Sequence, residues 1–212
     1  MGKYVLYGWR QTGSLAIEAA LREVVADFQV IPVDTSKKEQ WSENFKAINP
    51  RQQLPALILP NGTVVTEGPA ILLCIADAFP DAKLIPAVGT TERATLCRWL
   101  LFFAVNVYEG ELRKCFPDRY IDDPALSDHV AAAANAYVER HYLIFEEQLG
   151  RGPYFMDVNF TILDIYVWML AQWMDADWLA RHCPKIAALS NAVMERPKIK
   201  PVQIKHFGQV PA

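Results

Sequence analysis

Residues 53–71 read Gln53-Leu54-Pro55-Ala56-Leu57-Ile58-Leu59-Pro60-Asn61-Gly62-Thr63-Val64-Val65-Thr66-Glu67-Gly68-Pro69-Ala70-Ile71. Two apolar or β-branched runs, 56–59 and 63–66, flank Pro60-Asn61-Gly62. Asn and Gly both tolerate the positive φ that tight hairpin turns need, so the stretch predicts a β-hairpin. Thr66-Glu67-Gly68-Pro69 then predicts a helix from Pro69 to about Phe79, because proline is tolerated at a first helical position. Outward from the hairpin, Lys3–Tyr7 and Phe28–Val33 are short β-branched and aromatic runs that read as strands. Ser14–Ala26 has apolar residues at helical spacing, with Ser14 suited to the N-terminal turn. Glu39–Ile48 reads as a helix stopped by Asn49-Pro50. The order β-α-β-α-β-β-α predicts an α/β domain with a mixed sheet.

After Phe79 the pattern changes. From Thr91 onward the periodicities are helical, over about 91–115, 125–149, 161–175 and 184–195, with no strand. The expected division is therefore an α/β domain over 1–80, a linker over 81–88 and an all-helical domain over 89–212.

The 212 residues carry 21 basic and 24 acidic side chains, a net charge of −3, and 52% of them are hydrophobic. A chain of this length buries enough surface to need no disulfide or metal staple. The slightly acidic balance, without a Lys/Arg run, argues against nucleic acid as a partner. No apolar stretch reaches the ~20 residues of a membrane span, so a soluble, cytoplasmic protein with no membrane partner is expected. Cys74, Cys97, Cys115 and Cys183 form no C-x-x-C pair and lie at no metal-ligand spacing from a histidine. They read as reduced structural thiols, and no metal is expected.

Three segments carry candidate chemistry. Pro55, opening a strand, is either an ordinary strand-start proline or part of an edge. If its peptide bond is cis, the preceding backbone could pair with an extended peptide. Glu67 and Gly68 at a helix start are either a stabilising arrangement or complementary sites for an ammonium and a carboxylate. The loop Gly8-Trp9-Arg10-Gln11-Thr12-Gly13, feeding Ser14, is either a flexible turn before a Ser cap or a cradle of N–H and hydroxyl donors for an anion. Its spacing is not that of a Walker loop.

In this order the segments resemble the cytosolic glutathione S-transferases, and most closely their bacterial beta class. Residues 49–57 (NPRQQLPAL) look like that class's N-P-K-G-Q-V-P-A-L, and 61–71 (NGTVVTEGPAI) like its D-G-T-L-L-T-E-G-V-A-I. Ser14-Leu15-Ala16 and Leu21-Arg22-Glu23 resemble its first helix, and Glu195-Arg196-Pro197 the end of a late one. Phe160-Thr161-Ile162-Leu163-Asp164 resembles the family's buried capping box, in which Thr and Asp close a helix start.

The resemblance implies a thioredoxin-like first domain, a helical-bundle second domain and a homodimer. It also implies glutathione as co-substrate. Its cysteinyl backbone would pair with Leu54 beside Pro55, while Glu67 and Gly68 would take the γ-glutamyl head group. Lys38 and Gln53 would make further contacts. Trp9, Tyr108 and Trp173 would face a hydrophobic electrophile. Where beta-class relatives carry a cysteine, this chain has Gly13, so the mixed disulfide with glutathione cannot form. Ser14, then Tyr7, then Thr12 are the hydroxyls expected to stabilise the thiolate. Conjugation of glutathione to an electrophile is the expected activity. The rivals are a specialised glutathione-dependent lyase, dehalogenase or isomerase, and a non-catalytic carrier of glutathione or apolar ligands.

Overall fold

The computed structural model describes residues 2–208. By internal contacts the chain divides into two units. One comprises the residues up to Ile85 together with those from Val193, the other Pro86–Ala192.

The first unit is built on a four-stranded sheet. Strand β1 (Tyr4–Gly8) leads through helix α1 (Ser14–Glu23) to β2 (Phe28–Pro32). The short helix α2 (Glu43–Lys46) follows, then β3 (Ala56–Ile58), β4 (Val64–Thr66) and helix α3 (Gly68–Ala78). The strands lie in the order β2-β1-β3-β4, with β1 parallel to β2 and antiparallel to β3. The hairpin forms where the sequence predicts it: Gly62 has φ 87°, its N–H donates to the Leu59 carbonyl, and Asn61 Oδ1 accepts from Thr63 N. Leu6 and Leu57 on the sheet meet Leu15, Ile17 and Leu21 of α1 and Ile71, Leu72 and Ile75 of α3, all fully buried. Each such side chain contributes roughly 1.5–3 kcal/mol of hydrophobic stabilisation.

One local expectation shifts in this unit. The helix expected over 39–48 is a 3₁₀ turn (Glu39–Trp41) and then α2, because Ser42 is extended and its hydroxyl caps Phe45 N–H at 3.3 Å. Serine competes for backbone groups in this way and breaks a helix that hydrophobic spacing alone would continue.

The second unit holds α4 (Thr91–Phe102), a π-helical segment (Phe103–Tyr108), α5 (Glu109–Cys115), α6 (Ser127–Glu146) and α7 (Ile162–Ala171). Helix α8 (Ala176–His182), which the periodicity reading missed, and α9 (Pro184–Met194) follow. The span expected as one helix over 91–115 is thus interrupted by the π segment. Every residue of α7 is buried, as expected of a helix apolar on all sides at the centre of a bundle. Trp99, Phe103 and Phe145 pack edge-on around it, with ring centroids 4.7–5.0 Å apart. No helix among the described residues is long and apolar enough to cross a membrane.

The chain's last helix, α10 (Lys200–Phe207), was not foreseen, and its placement differs from the expected division. Residues from Val193 onward group with the sheet unit, not with the helices. The physical reason lies in α1. Arg196 donates to both Glu23 oxygens at 2.9 and 3.0 Å, Lys198 to the Glu23 carbonyl at 2.7 Å, and Lys205 to both Glu18 oxygens at 2.7 and 2.8 Å. Glu18 and Glu23 are buried, and a buried carboxylate requires such partners.

Candidate glutathione site

The loop after β1 is tied on itself. Trp9 N–H donates to Ser14 Oγ at 3.2 Å, Ser14 Oγ donates to the Trp9 carbonyl at 3.0 Å, and Thr12 Oγ1 donates to the same carbonyl at 2.9 Å. The two hydroxyl oxygens are 2.9 Å apart. Ser14 is the first helical residue rather than the cap, which is Gly13. Its side chain is 2% exposed, whereas Thr12 is half-buried. Gly13 has an ordinary helical φ of −55°; the left-handed conformation falls on Gln11, at φ 56°. The glycine that sterics require is Gly8, where an added Cβ would lie 2.6 Å from Ser14 Oγ.

Tyr7 packs with Trp9 and Ile48 against the buried cluster Val33, Phe45, Leu54 and Ala56, its ring 5.9 Å from that of Phe45. Its phenol has no hydrogen-bond partner among the described residues. None of the four cysteines lies in this loop, and burial raises the thiols of Cys74, Cys115 and Cys183, the last to about 12.

Before β3 the Leu54–Pro55 bond is cis. The preceding turn is clamped by Asn49, which is 4% exposed. Its Nδ2 donates to the Gln53 carbonyl at 2.7 Å, its Oδ1 accepts from Arg51 N at 3.1 Å, and its carbonyl accepts from Gln52 N. Gln52 sits at φ 55°, at the place where the beta-class run has glycine. Sequence reading treated Asn49 only as a helix stop. The signal lay in an Asx-type residue, whose side chain can bond the backbone two residues on, here Arg51 N–H.

At the start of α3 the cap is Glu67, not Gly68, which is the first helical residue. Glu67 has φ 64° and ψ 111°, outside the small left-handed region open to non-glycine residues. No side chain caps this helix, and Glu67 points outward, bonded to Arg51 Nη1 at 2.9 Å with both side chains about half exposed. Arg51 was not among the expected site residues. An exposed carboxylate and guanidinium beside an uncapped helix start can accept an ammonium and a carboxylate together. Lys38, at φ 61°, holds its ammonium 5.5 Å from the Trp41 ring centroid and pairs with no carboxylate among the described residues. Gln53, Leu54, Pro55, Glu67 and Gly68 thus come together around the β3 and α3 starts.

In the second unit Tyr108 and Trp173 meet edge-on, ring centroids 5.5 Å apart. The buried Trp173 Nε1 has no hydrogen-bond partner among the described residues.

Two family models match the chain, the glutathione S-transferase N-terminal domain over residues 2–77 and the C-terminal domain over 117–202. The chain belongs to the glutathione S-transferase family. Glutathione S-transferase GstA of Escherichia coli O157:H7 is 31% identical over 189 residues, covering 88% of this chain and 90% of that protein. Rattus norvegicus maleylacetoacetate isomerase is 33% identical over 88 residues, 40% of each chain. Among solved structures, a glutathione transferase homologue from Sulfitobacter with bound glutathione superposes with a TM-score of 0.89 at 26% identity, covering 97% of this chain and 99% of that one. A bacterial beta-class glutathione S-transferase from Sphingomonas chungbukensis superposes with a TM-score of 0.80 at 29% identity, covering 96% and 99%. The thioredoxin-like sheet unit and the helical unit are the fold of this family.

Proposed function

We propose that this chain binds reduced glutathione, favours its thiolate and joins the sulfur to a small hydrophobic electrophile. The observation that carries the reading is the open start of α3 beside the exposed Glu67–Arg51 pair, which matches the opposite charges of a γ-glutamyl head group. Leu54, with its preceding turn clamped by Asn49, would pair with the cysteinyl backbone. Gln53 lies in the same turn, and Lys38 would serve the glycine carboxylate by charge.

The hydroxyls differ in what they can give. Ser14 accepts from Trp9 N–H and is sealed from solvent, so its oxygen is committed to the loop. Thr12 shares the Trp9 carbonyl with Ser14 and is half-buried, so its hydrogen can turn outward while Ser14 keeps that carbonyl satisfied. Thr12 is therefore the preferred thiolate donor, Tyr7 the second, and Ser14 the residue that shapes the loop. Lowering a thiol from ~8.5 toward neutrality raises the thiolate fraction at pH 7 about tenfold. Holding both reactants together supplies the remainder by proximity. Trp9, Tyr108 and Trp173 are proposed to face the electrophile, and a cytoplasmic homodimer is proposed as the working form.

Conjugation of glutathione to a chloronitroaromatic, followed by absorbance in wild type, Thr12→Val and Thr12→Ser, tests the reading. Thr12→Val should lose about tenfold in rate and Thr12→Ser should keep most of it, the range for one hydrogen bond to a charged group. A second reading, a glutathione-dependent isomerase or lyase, is favoured by Gly13 in place of the cysteine and by the likeness of 88 residues of the chain to a maleylacetoacetate isomerase. It predicts glutathione binding without chloronitroaromatic turnover. Absence of glutathione binding in wild type would overturn both.

A further inference from the structure

The hydroxyl-bearing loop is anchored at one further point, almost two hundred residues away in sequence. Gln11 N–H donates to His206 Nδ1 at 3.2 Å, and Gln11 Nε2 donates to the His206 carbonyl at 3.4 Å. A backbone amide can only donate, so Nδ1 must carry a lone pair. The ring proton of the neutral imidazole is then on Nε2, which faces Glu18 Oε2 at 3.1 Å. Both side chains are 3% exposed.

Two charged groups face the ring. Glu18 comes from α1, and Lys205, on the histidine's own helix, holds both Glu18 oxygens. The other acid of α1, Glu23, is already taken by Arg196. Burial alone would raise the Glu18 carboxyl, but hydrogen bonds from His206 and Lys205 outweigh it and hold the group below the ordinary glutamate range. An ionised Glu18 accepts the Nε2 proton and thereby fixes the tautomer. Gln11 takes the left-handed conformation immediately before Thr12, so whatever pins its amide sets the direction in which the Thr12 segment leaves the turn.

We propose that His206 is a positioning residue for this loop: its Nδ1 lone pair, kept available by Glu18, holds the Gln11 amide and through it the Thr12 hydroxyl. The consequence for the thiolate rests on the proposed glutathione reading, whereas the tether itself does not.

The test uses the full chain without ligand. Amide hydrogen exchange at Gln11 is followed by NMR and corrected for the intrinsic pH dependence of exchange, in wild type, His206→Ala, His206→Gln and His206→Asn. Asn places its Oδ1 where Nδ1 stands and does not titrate; Gln and Ala place no acceptor there. Protection at Gln11 should fall about fivefold in His206→Ala and His206→Gln and be retained in His206→Asn, as expected for loss of one hydrogen bond. Equal protection in all four proteins overturns the tether. With the chloronitroaromatic, kcat/KM should fall severalfold in His206→Ala and His206→Gln and be restored in His206→Asn. Equal kcat/KM in all four proteins overturns the link to catalysis. Failure of wild type to bind glutathione removes the functional reading, while the amide measurement still decides the tether.

Discussion

Helices α3 and α7 begin in opposite ways, and the contrast separates binding from stability. At α7 the chain closes its own donors. Thr161 N and Oγ1 donate to Asp164 Oδ2 at 2.7 and 2.8 Å, Phe155 N donates to Oδ1 at 2.8 Å, and the Thr161 side chain caps in return. Asp164 is fully buried, and burial pushes its carboxyl up to about 6 although hydrogen bonds from Phe155, Thr161 and its own backbone pull the other way. At α3 no side chain caps the helix, the residue in the cap position is exposed, and its backbone is held where glycine would be easier. The same four unmade backbone bonds at a helix start are closed by the chain itself in one place and left open in the other, where the proposed head group would dock.

The sharpest way to break that contrast is Asp164→Ala. Two buried N–H groups and a hydroxyl lose their acceptor, at roughly 1–3 kcal/mol each before relaxation, so a net loss of about 3–5 kcal/mol is expected. Urea denaturation followed by tryptophan fluorescence measures it. A loss below 1 kcal/mol would mean that the closed start does not support the bundle.

The matching change at the open start is Glu67→Ala. Calorimetry with reduced glutathione should show about thirtyfold weaker binding, the range for a hydrogen-bonded charge, while the urea midpoint stays near that of wild type. The Arg51–Glu67 pair is exposed, so its contribution to stability is small. A large stability loss with unchanged affinity would reverse the roles assigned to the two helix starts.

What sequence could reveal follows the range of the forces involved. The hairpin is written in Asn61-Gly62, the α7 box in Thr161 and Asp164 three residues apart, and the open start in Glu67-Gly68-Pro69, because each is closed by atoms a few residues away. The Arg51–Glu67 pair spans sixteen residues and needs the register of β3 against β4 before it exists. Docking of α10 onto α1 joins residues more than 170 apart. Nothing local in Lys205-His206 distinguishes a buried tether from a solvated helix end. Ser14 illustrates a third limit. Its type fits a cap, but Gly8 lets it approach Trp9, and the approach of two backbones is invisible to propensity.

A buried acid in the same unit as Glu67 sharpens the contrast further. Glu18→Gln removes the charge that Lys205 and His206 share, and should cost about 2 kcal/mol near neutral pH, as for hydrogen bonds to a charged group. The sign of its pH dependence is fixed. Glu18 is held below the ordinary glutamate range when folded, so on acidification the unfolded chain takes up the proton first. The stabilisation is therefore present above the ordinary glutamate pKa and lost as pH falls through the folded value. Urea midpoints of wild type and Glu18→Gln should converge on going from pH 6 to pH 3, and a gap that stays constant would assign the effect to packing instead of charge.

The smallest expected effect asks whether the open start holds conformational strain. At φ 64° and ψ 111° any Cβ crowds its own backbone, and such placements cost of order 1–3 kcal/mol. Glycine escapes the crowding but gives the unfolded chain more freedom, which returns roughly 0.5–1 kcal/mol of the gain. Glu67→Gly should consequently be about 1 kcal/mol more stable than Glu67→Ala, while both bind glutathione equally weakly, since neither carries the carboxylate. Urea midpoints and calorimetry on the two variants read the two halves separately. Equal midpoints would mean that the cap relaxes to an ordinary conformation once the carboxylate is gone, so that the Arg51 pair, and not the flanking helix and strand, holds Glu67 in place.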